Sequence, residues 1–135
     1  MTQVRIIKAP DREVEVSSGD MTRFAGVSEG LVGAKGIHLA LAAIPAGRHS
    51  SPHWHTNCES AIYIIKGRGR FLAGENLQTE LEFESGAFIY VPQDALHQLV
   101  NDGTGPVEMV VARNTPVEVV QEYIGTAGLR VGQGP

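Results

Sequence analysis

Short apolar runs separated by glycine- and proline-marked turns dominate the chain, and nowhere does a helical period persist. The stretch 77–84 alternates cleanly, with Leu77, Thr79, Leu81 and Phe83 on one face and Gln78, Glu80, Glu82 and Glu84 on the other. That is a half-buried strand with a wet side. Ile62 to Ile65 is nearly continuous apolar sequence, as expected of a strand covered on both faces. The same reading predicts strands near 3–7, 37–44, 51–58, 60–66, 69–73, 78–84, 87–91, 96–100 and 107–112. Turns fall at Pro45–Gly47, Gly74–Asn76, Ser85–Gly86, Pro92–Asp94 and Asn101–Gly105. This is the pattern of an all-β sandwich or barrel. Residues 125–135 read as a loose glycine-rich tail.

Composition narrows the class. With 135 residues, 42% of them apolar, the chain is sized for a single domain with one core. No apolar run is long enough to span a bilayer, and no secretory leader is visible, so the expected compartment is the cytoplasm and no membrane partner is expected. The lone Cys58 suits a reducing environment and reads as a small buried hydrophobe. The net charge of −4 argues against a nucleic-acid partner. Lys66, Arg68 and Arg70 form the nearest thing to a basic stripe, and they read as one solvated strand face.

Chemistry concentrates in the segment Gly47-Arg-His-Ser-Ser-Pro-His53-Trp-His55-Thr-Asn-Cys-Glu59. Along an extended strand, 53, 55, 57 and 59 share a face, so two imidazoles and a carboxylate converge, a donor set suited to a first-row divalent metal. His97 opens a strand after the turn at Pro92, where a hairpin can bring it beside the His-x-His pair. His38 and His49 lack such a context and read as surface residues or neighbours of the site.

Two spaced motifs carry a resemblance to the cupin superfamily. Gly47, His53, His55, Glu59 and Gly67 follow its first motif, except that Glu59 sits one place early relative to Gly67 and Ser60 occupies the alternative slot. Alternation favours Glu59, because Ser60 would face away from the histidines. Gly86, Pro92, His97 and Asn101 follow the second motif, with Asp94 where the family has a turn glycine. Asp tolerates left-handed backbone geometry, so the turn survives. The resemblance covers roughly 37–112, with 1–36 as an N-terminal strand extension.

It implies a single-domain jelly-roll (double-stranded β-helix) barrel holding one divalent transition metal (Mn, Fe, Ni, Co or Zn) on His53, His55, Glu59 and His97. The implied function is a metal-dependent small-molecule enzyme with oxygenase-like or isomerase-like chemistry, or alternatively a non-catalytic small-ligand binder or sensor. A homodimer is expected, with Val4–Ile7 adding a strand to the partner's sheet. The direction of Phe71 bears on the substrate: if it faces inward, Arg68 and Arg70 face solvent and the pocket is largely apolar.

Overall fold

A computed structural model describes residues 3–16 and 18–123. Its eleven strands are β1 (Glu13–Glu15), β2 (Thr22–Val27), β3 (His38–Ile44), β4 (His53–His55), β5 (Ser60–Lys66), β6 (Arg68–Ala73), β7 (Thr79–Glu84), β8 (Phe88–Val91), β9 (His97–Val100), β10 (Val107–Arg113) and β11 (Val120–Glu122). They form two antiparallel sheets in the orders β1-β2-β3-β10-β5-β8 and β11-β4-β9-β6-β7. The inner faces of both sheets meet in one core, a jelly-roll architecture.

Period-two burial builds that core. Ala40, Ala42 and Ile44 of β3, Ile62 and Ile64 of β5, and Val107 and Met109 of β10 all point inward. Phe71, Phe83, Leu99 and Val91 close it from the other strands. Met109 pairs with Ala42 on one side and Ile64 on the other, so one row of apolar side chains crosses three strands. Carried to the other end of the same strands, the alternation turns polar. His38, Ser60 and Arg113 lie in a single cross-strand register and are buried. The barrel therefore has an apolar end and a polar end, both written in one inward-facing period.

Several expected elements differ. Residues 3–7 form no strand, since no neighbouring strand of this chain supplies their ladder and Pro10 opens a short 3-10 turn. The segment 13–27 instead contributes β1 and β2, which a mixed polar sequence with a mid-strand Gly26 does not advertise. The strand expected over 51–58 shrinks to His53–His55. Ile62–Ile65 is not covered on both faces: Ile62 and Ile64 are buried, whereas Tyr63 and Ile65 are exposed on the outside of the six-stranded sheet. The tail 125–135 lies outside the described residues.

The turns behave as their residues require. Gly47, Gly67 and Gly86 all have positive φ. Asp94, in the turn before β9, does too, at 66°. Its backbone N–H donates to the carbonyl of His55 at 2.8 Å, tying the turn to β4. Asn101 is fully buried and staples the following loop. Its Nδ2 donates to the carbonyls of Ile44 and Gly105, and its Oδ1 accepts from the N–H of Gly103.

Candidate metal centre

β4 and β9 pair through His53 and His97, placing the histidines of the two motifs opposite each other, while His55 sits on the same short strand as His53. The candidate donor atoms of His53, His55 and His97 all lie within 4.8 Å of one another. All three rings are buried, and Phe71 stacks against His97 with centroids 6.1 Å apart.

Each ring has a partner at Nδ1. That of His53 donates to the carbonyl of Ser51 at 2.7 Å, and that of His97 to the carbonyl of Ala95 at 2.8 Å. The Nδ1 of His55 lies 3.0 Å from Oε2 of Glu118. A proton on each Nδ1 leaves Nε2 as the donor to a metal; the carbonyls hold it by hydrogen bonds in His53 and His97, whereas in His55 the Glu118 carboxylate is close in distance but not aligned as a hydrogen bond. Burial holds His53 down at about 4, and His97 at about 3, with the neighbouring imidazoles adding to the effect. Both rings are thus neutral donors at neutral pH, and the donor set fits a first-row divalent ion.

Glu59, expected as the fourth ligand, is not part of this cluster. Its exposed carboxylate accepts a hydrogen bond from the Tyr90 hydroxyl at 2.8 Å on the outer surface, and its own backbone N–H donates to Asn114. The physical reason is a break in the strand. Between His55 and Ser60 the chain crosses from one sheet to the other, so the alternation that would place 59 with 53 and 55 is interrupted. When extended structure resumes, Ser60 takes the inward phase with Ile62 and Ile64, and its side chain joins the cavity wall beside the histidines.

The cavity around the cluster measures about 60 Å³ and opens beside a mouth of about 340 Å³ that shares His53, His55, Arg23 and Glu118. Phe71, Leu99, Ile62 and Met109 line its inner part. Phe71 faces inward and is 5% exposed, which settles the direction of its strand: Arg68 and Arg70 face out. Arg70 is engaged there by Glu80 and Asp102.

Four ionisable residues of the wall carried no signal in the motifs. Glu118 contacts His55, Arg23 and Arg113. Arg23 also reaches Glu15, whose other oxygen meets Nε2 of His38 at 2.9 Å. Burial alone would raise the Glu118 carboxyl. Its contact with His55 and the charges of Arg23 and Arg113 prevail and hold it well below the usual carboxylate range. His38 is a buried member of this chain, not a surface residue, while His49 is exposed. Arg113 could have been found: it sits in the inward phase of Val107, Met109 and Val111, where a cation needs a buried partner. Glu118, in the connection between β10 and β11, has no such phase.

Fold and site together define a cupin domain. The family's sequence profile matches residues 40–113, and the chain belongs to that family. A relative in Methanocaldococcus jannaschii, an uncharacterised protein, is 30% identical over 78 residues, covering 58% of this chain and 60% of its own length. Among solved structures, a proposed sugar phosphate isomerase of Acidithiobacillus ferrooxidans is 27% identical with a TM-score of 0.60, over 75% of this chain and 65% of that one. The chain thus spans under two thirds of both of these relatives.

The polyketide cyclase RemF of Streptomyces resistomycificus shares the fold more completely, with a TM-score of 0.70 at 18% identity over 95% and 89% of the two chains. Bacillus subtilis oxalate decarboxylase, a protein with Mn(II) centres, superposes with a TM-score of 0.67 at 21% identity, over 80% of this chain and 29% of its own. Among the described residues no helix is long and apolar enough to cross a membrane.

Proposed function

We propose that this cupin is a metal-dependent enzyme acting on a small organic molecule, with one divalent transition metal held by His53, His55 and His97. The observation that carries the reading is the convergence of three buried imidazoles whose candidate donor atoms lie within 4.8 Å of one another, each with a carbonyl or carboxylate close to Nδ1. A metal bound there would supply Lewis-acid or redox activation of a substrate oxygen or of O₂. The protein's own residues supply the rest. Phe71, Ile62, Leu99 and Met109 give the cavity a tight, apolar inner part, and the mouth beside Arg23 and Glu118 admits the substrate.

Oxygenase-like chemistry on a compact, largely apolar substrate fits this wall better than phosphosugar isomerisation. A phosphate needs cations free to receive it. Here Arg68 and Arg70 face outward, and the inward Arg23 and Arg113 are matched by the two carboxylates of Glu118 and Glu15. Purified protein should carry up to one first-row metal per chain. His53→Ala and His97→Ala should lose most of it, whereas Glu59→Ala should retain it. Equal loss in Glu59→Ala would return that residue to the site. A metal-loaded protein that binds small organic ligands yet turns none over, with O₂ uptake as the readout, would favour the non-catalytic binder.

The outer face of the six-stranded sheet supports a homodimer. Register aligns Phe24, Leu41, Val110, Tyr63 and Phe88 in one row across five strands. Tyr63 and Leu41 are about 40% exposed and Phe88 is 82% exposed, an apolar face that a second copy would cover. The buried Cys58 thiol, its pKa raised first by burial and so kept protonated, suits the cytoplasm.

A further inference from the structure

Behind His55 a buried ionic chain crosses the wall of the barrel. Glu118 meets His55 Nδ1 at 3.0 Å through Oε2, and the same oxygen takes Arg113 Nη1 at 3.3 Å. Its Oε1 takes Arg23 Nη1 at 3.1 Å. Arg23 Nη2 continues to Glu15 at 3.4 Å, and Glu15 to His38 at 2.9 Å. These side chains come from β1, β2, β3, β4, β10 and the connection before β11, and none is more than 21% exposed.

Stability does not account for such a chain. Removing carboxylates and guanidinium groups from water costs several kcal/mol per ion, and apolar replacements of buried ion pairs are often as stable or more so. Orientation at His55 does account for it. The rings of His53 and His97 are each held by the carbonyl two residues earlier in the chain, just before the strand begins. For His55 the partner is a side chain brought from the far end of the domain, itself gripped by two arginines.

We propose that Glu118 is a positioning residue of the metal centre: its carboxylate, fixed by Arg23 and Arg113, keeps the proton of His55 on Nδ1 and aims Nε2 at the metal. The assignment rests on the three-histidine reading. It also places an anion against one ligand at a centre whose fourth motif position is Ser60, so the negative charge acts through the imidazole instead of on the metal. A carboxylate behind a histidine increases its donor strength, and loss of such a partner typically weakens metal binding by about 10–100-fold.

Co(II) is the probe. Its affinity, measured by competition with a chromophoric chelator, and its visible absorption spectrum are compared in wild type, Glu118→Ala, Glu118→Gln, Arg23→Ala and the exposed-surface control Glu82→Ala. Glu118→Ala should bind Co(II) about 10–100-fold more weakly, with a shifted spectrum. Glu118→Gln, which keeps an acceptor for Nδ1 but no charge, should restore the spectrum and only part of the affinity. Arg23→Ala should move both readouts in the direction of Glu118→Ala, and Glu82→Ala should move neither. A folded Glu118→Ala with wild-type affinity and spectrum overturns the assignment. Should that variant fail to fold, Glu118→Gln with both readouts unchanged overturns it. Wild-type protein that takes no Co(II) would sink the metal reading itself, a result distinct from either.

Discussion

His53 and His97 stand directly opposite each other across an antiparallel bridge, with ring centroids 4.5 Å apart. The two motifs, far apart in sequence, become one site through that single pair. A slip of one residue between β4 and β9 would turn a ring to the other face. Three contacts pin the register: the Asp94 N–H on the His55 carbonyl, the Ser50 N–H on the Leu99 carbonyl, and the Leu99 N–H on the Ser50 hydroxyl.

Restoring a carboxylate at position 60 tests the geometry of the site. Ser60→Glu should place the new side chain in the cavity with the three imidazoles. Without metal, a second buried carboxylate competing with Glu118 for Arg113 should destabilise the fold by about 1–3 kcal/mol. Divalent metal should then be bound more tightly than by wild type and should recover the melting temperature. Thermal melts with and without Mn(II) check both halves. Metal affinity no higher than wild type would mean that position 60 does not face the metal.

Acid should weaken the metal-free protein in a defined window. Unfolded histidine titrates near 6.5, whereas burial holds His53 at about 4 and His97 at about 3. Below pH 6.5 the unfolded chain takes up protons that the folded chain refuses. The contribution of these groups is therefore complete above pH 6.5 and is lost as pH falls toward their folded values. At roughly 1.4 kcal/mol per unit for each group, the two together approach ~3 kcal/mol per pH unit as an upper bound. Glu118 acts in the same direction at lower pH, because its depressed carboxyl stabilises above the unfolded value of 4.5 and the benefit is lost below it. Urea midpoints at pH 7.5, 6, 5 and 4.5 should fall progressively. A flat profile down to pH 5 would contradict the buried, neutral state of the rings.

Asp94 holds a left-handed turn that β-branched residues resist. Asp94→Gly should leave stability within about 0.5 kcal/mol of wild type, and metal content unchanged. Asp94→Val should cost roughly 1–2 kcal/mol, or about 4–7 °C in melting temperature. Its loosened turn should also weaken metal binding, since this turn is tied to His55 and leads into His97. Equal melting temperatures for the two variants would show that the turn tolerates a change of backbone conformation.

The outer sheet face makes a prediction about assembly. Wild type should scatter light as a dimer at micromolar concentration, and the double variant Leu41→Lys with Tyr63→Lys should be monomeric with its metal site intact. A chain starting at Ala9 should remain dimeric, because the proposed contact is the outer sheet face and does not involve the N-terminal run. Loss of the dimer on that truncation alone would instead support exchange of the N-terminal run.

Much of the site was legible in the sequence because its spacing is local. His53 and His55 share a short strand, and the turn residues Pro92 and Asp94 announce the bend into His97, although β8 and β9 pass into different sheets there and form no hairpin. The inward period of β3 and β10 is visible in the alternation of their residues, but the continuous apolar run 62–65 hides it in β5, and only the structure shows that it carries His38, Ser60 and Arg113 to one end of the barrel. What the sequence alone could not decide is where that period is interrupted. Alternation predicts a face only while the chain stays extended, and the crossing from β4 to β5 resets the phase between His55 and Ser60. That reset sends Glu59 outward to Tyr90 and Ser60 inward to the cavity. Glu118 was beyond reach for a related reason. It lies in an irregular connection, and its place beside His55 depends on β11 pairing with β4 and on guanidinium groups delivered by β2 and β10. Ligands that share a strand follow from local geometry, whereas the pairing that brings His97 to them and the partners that orient them are decided by packing between distant strands, which no local pattern records.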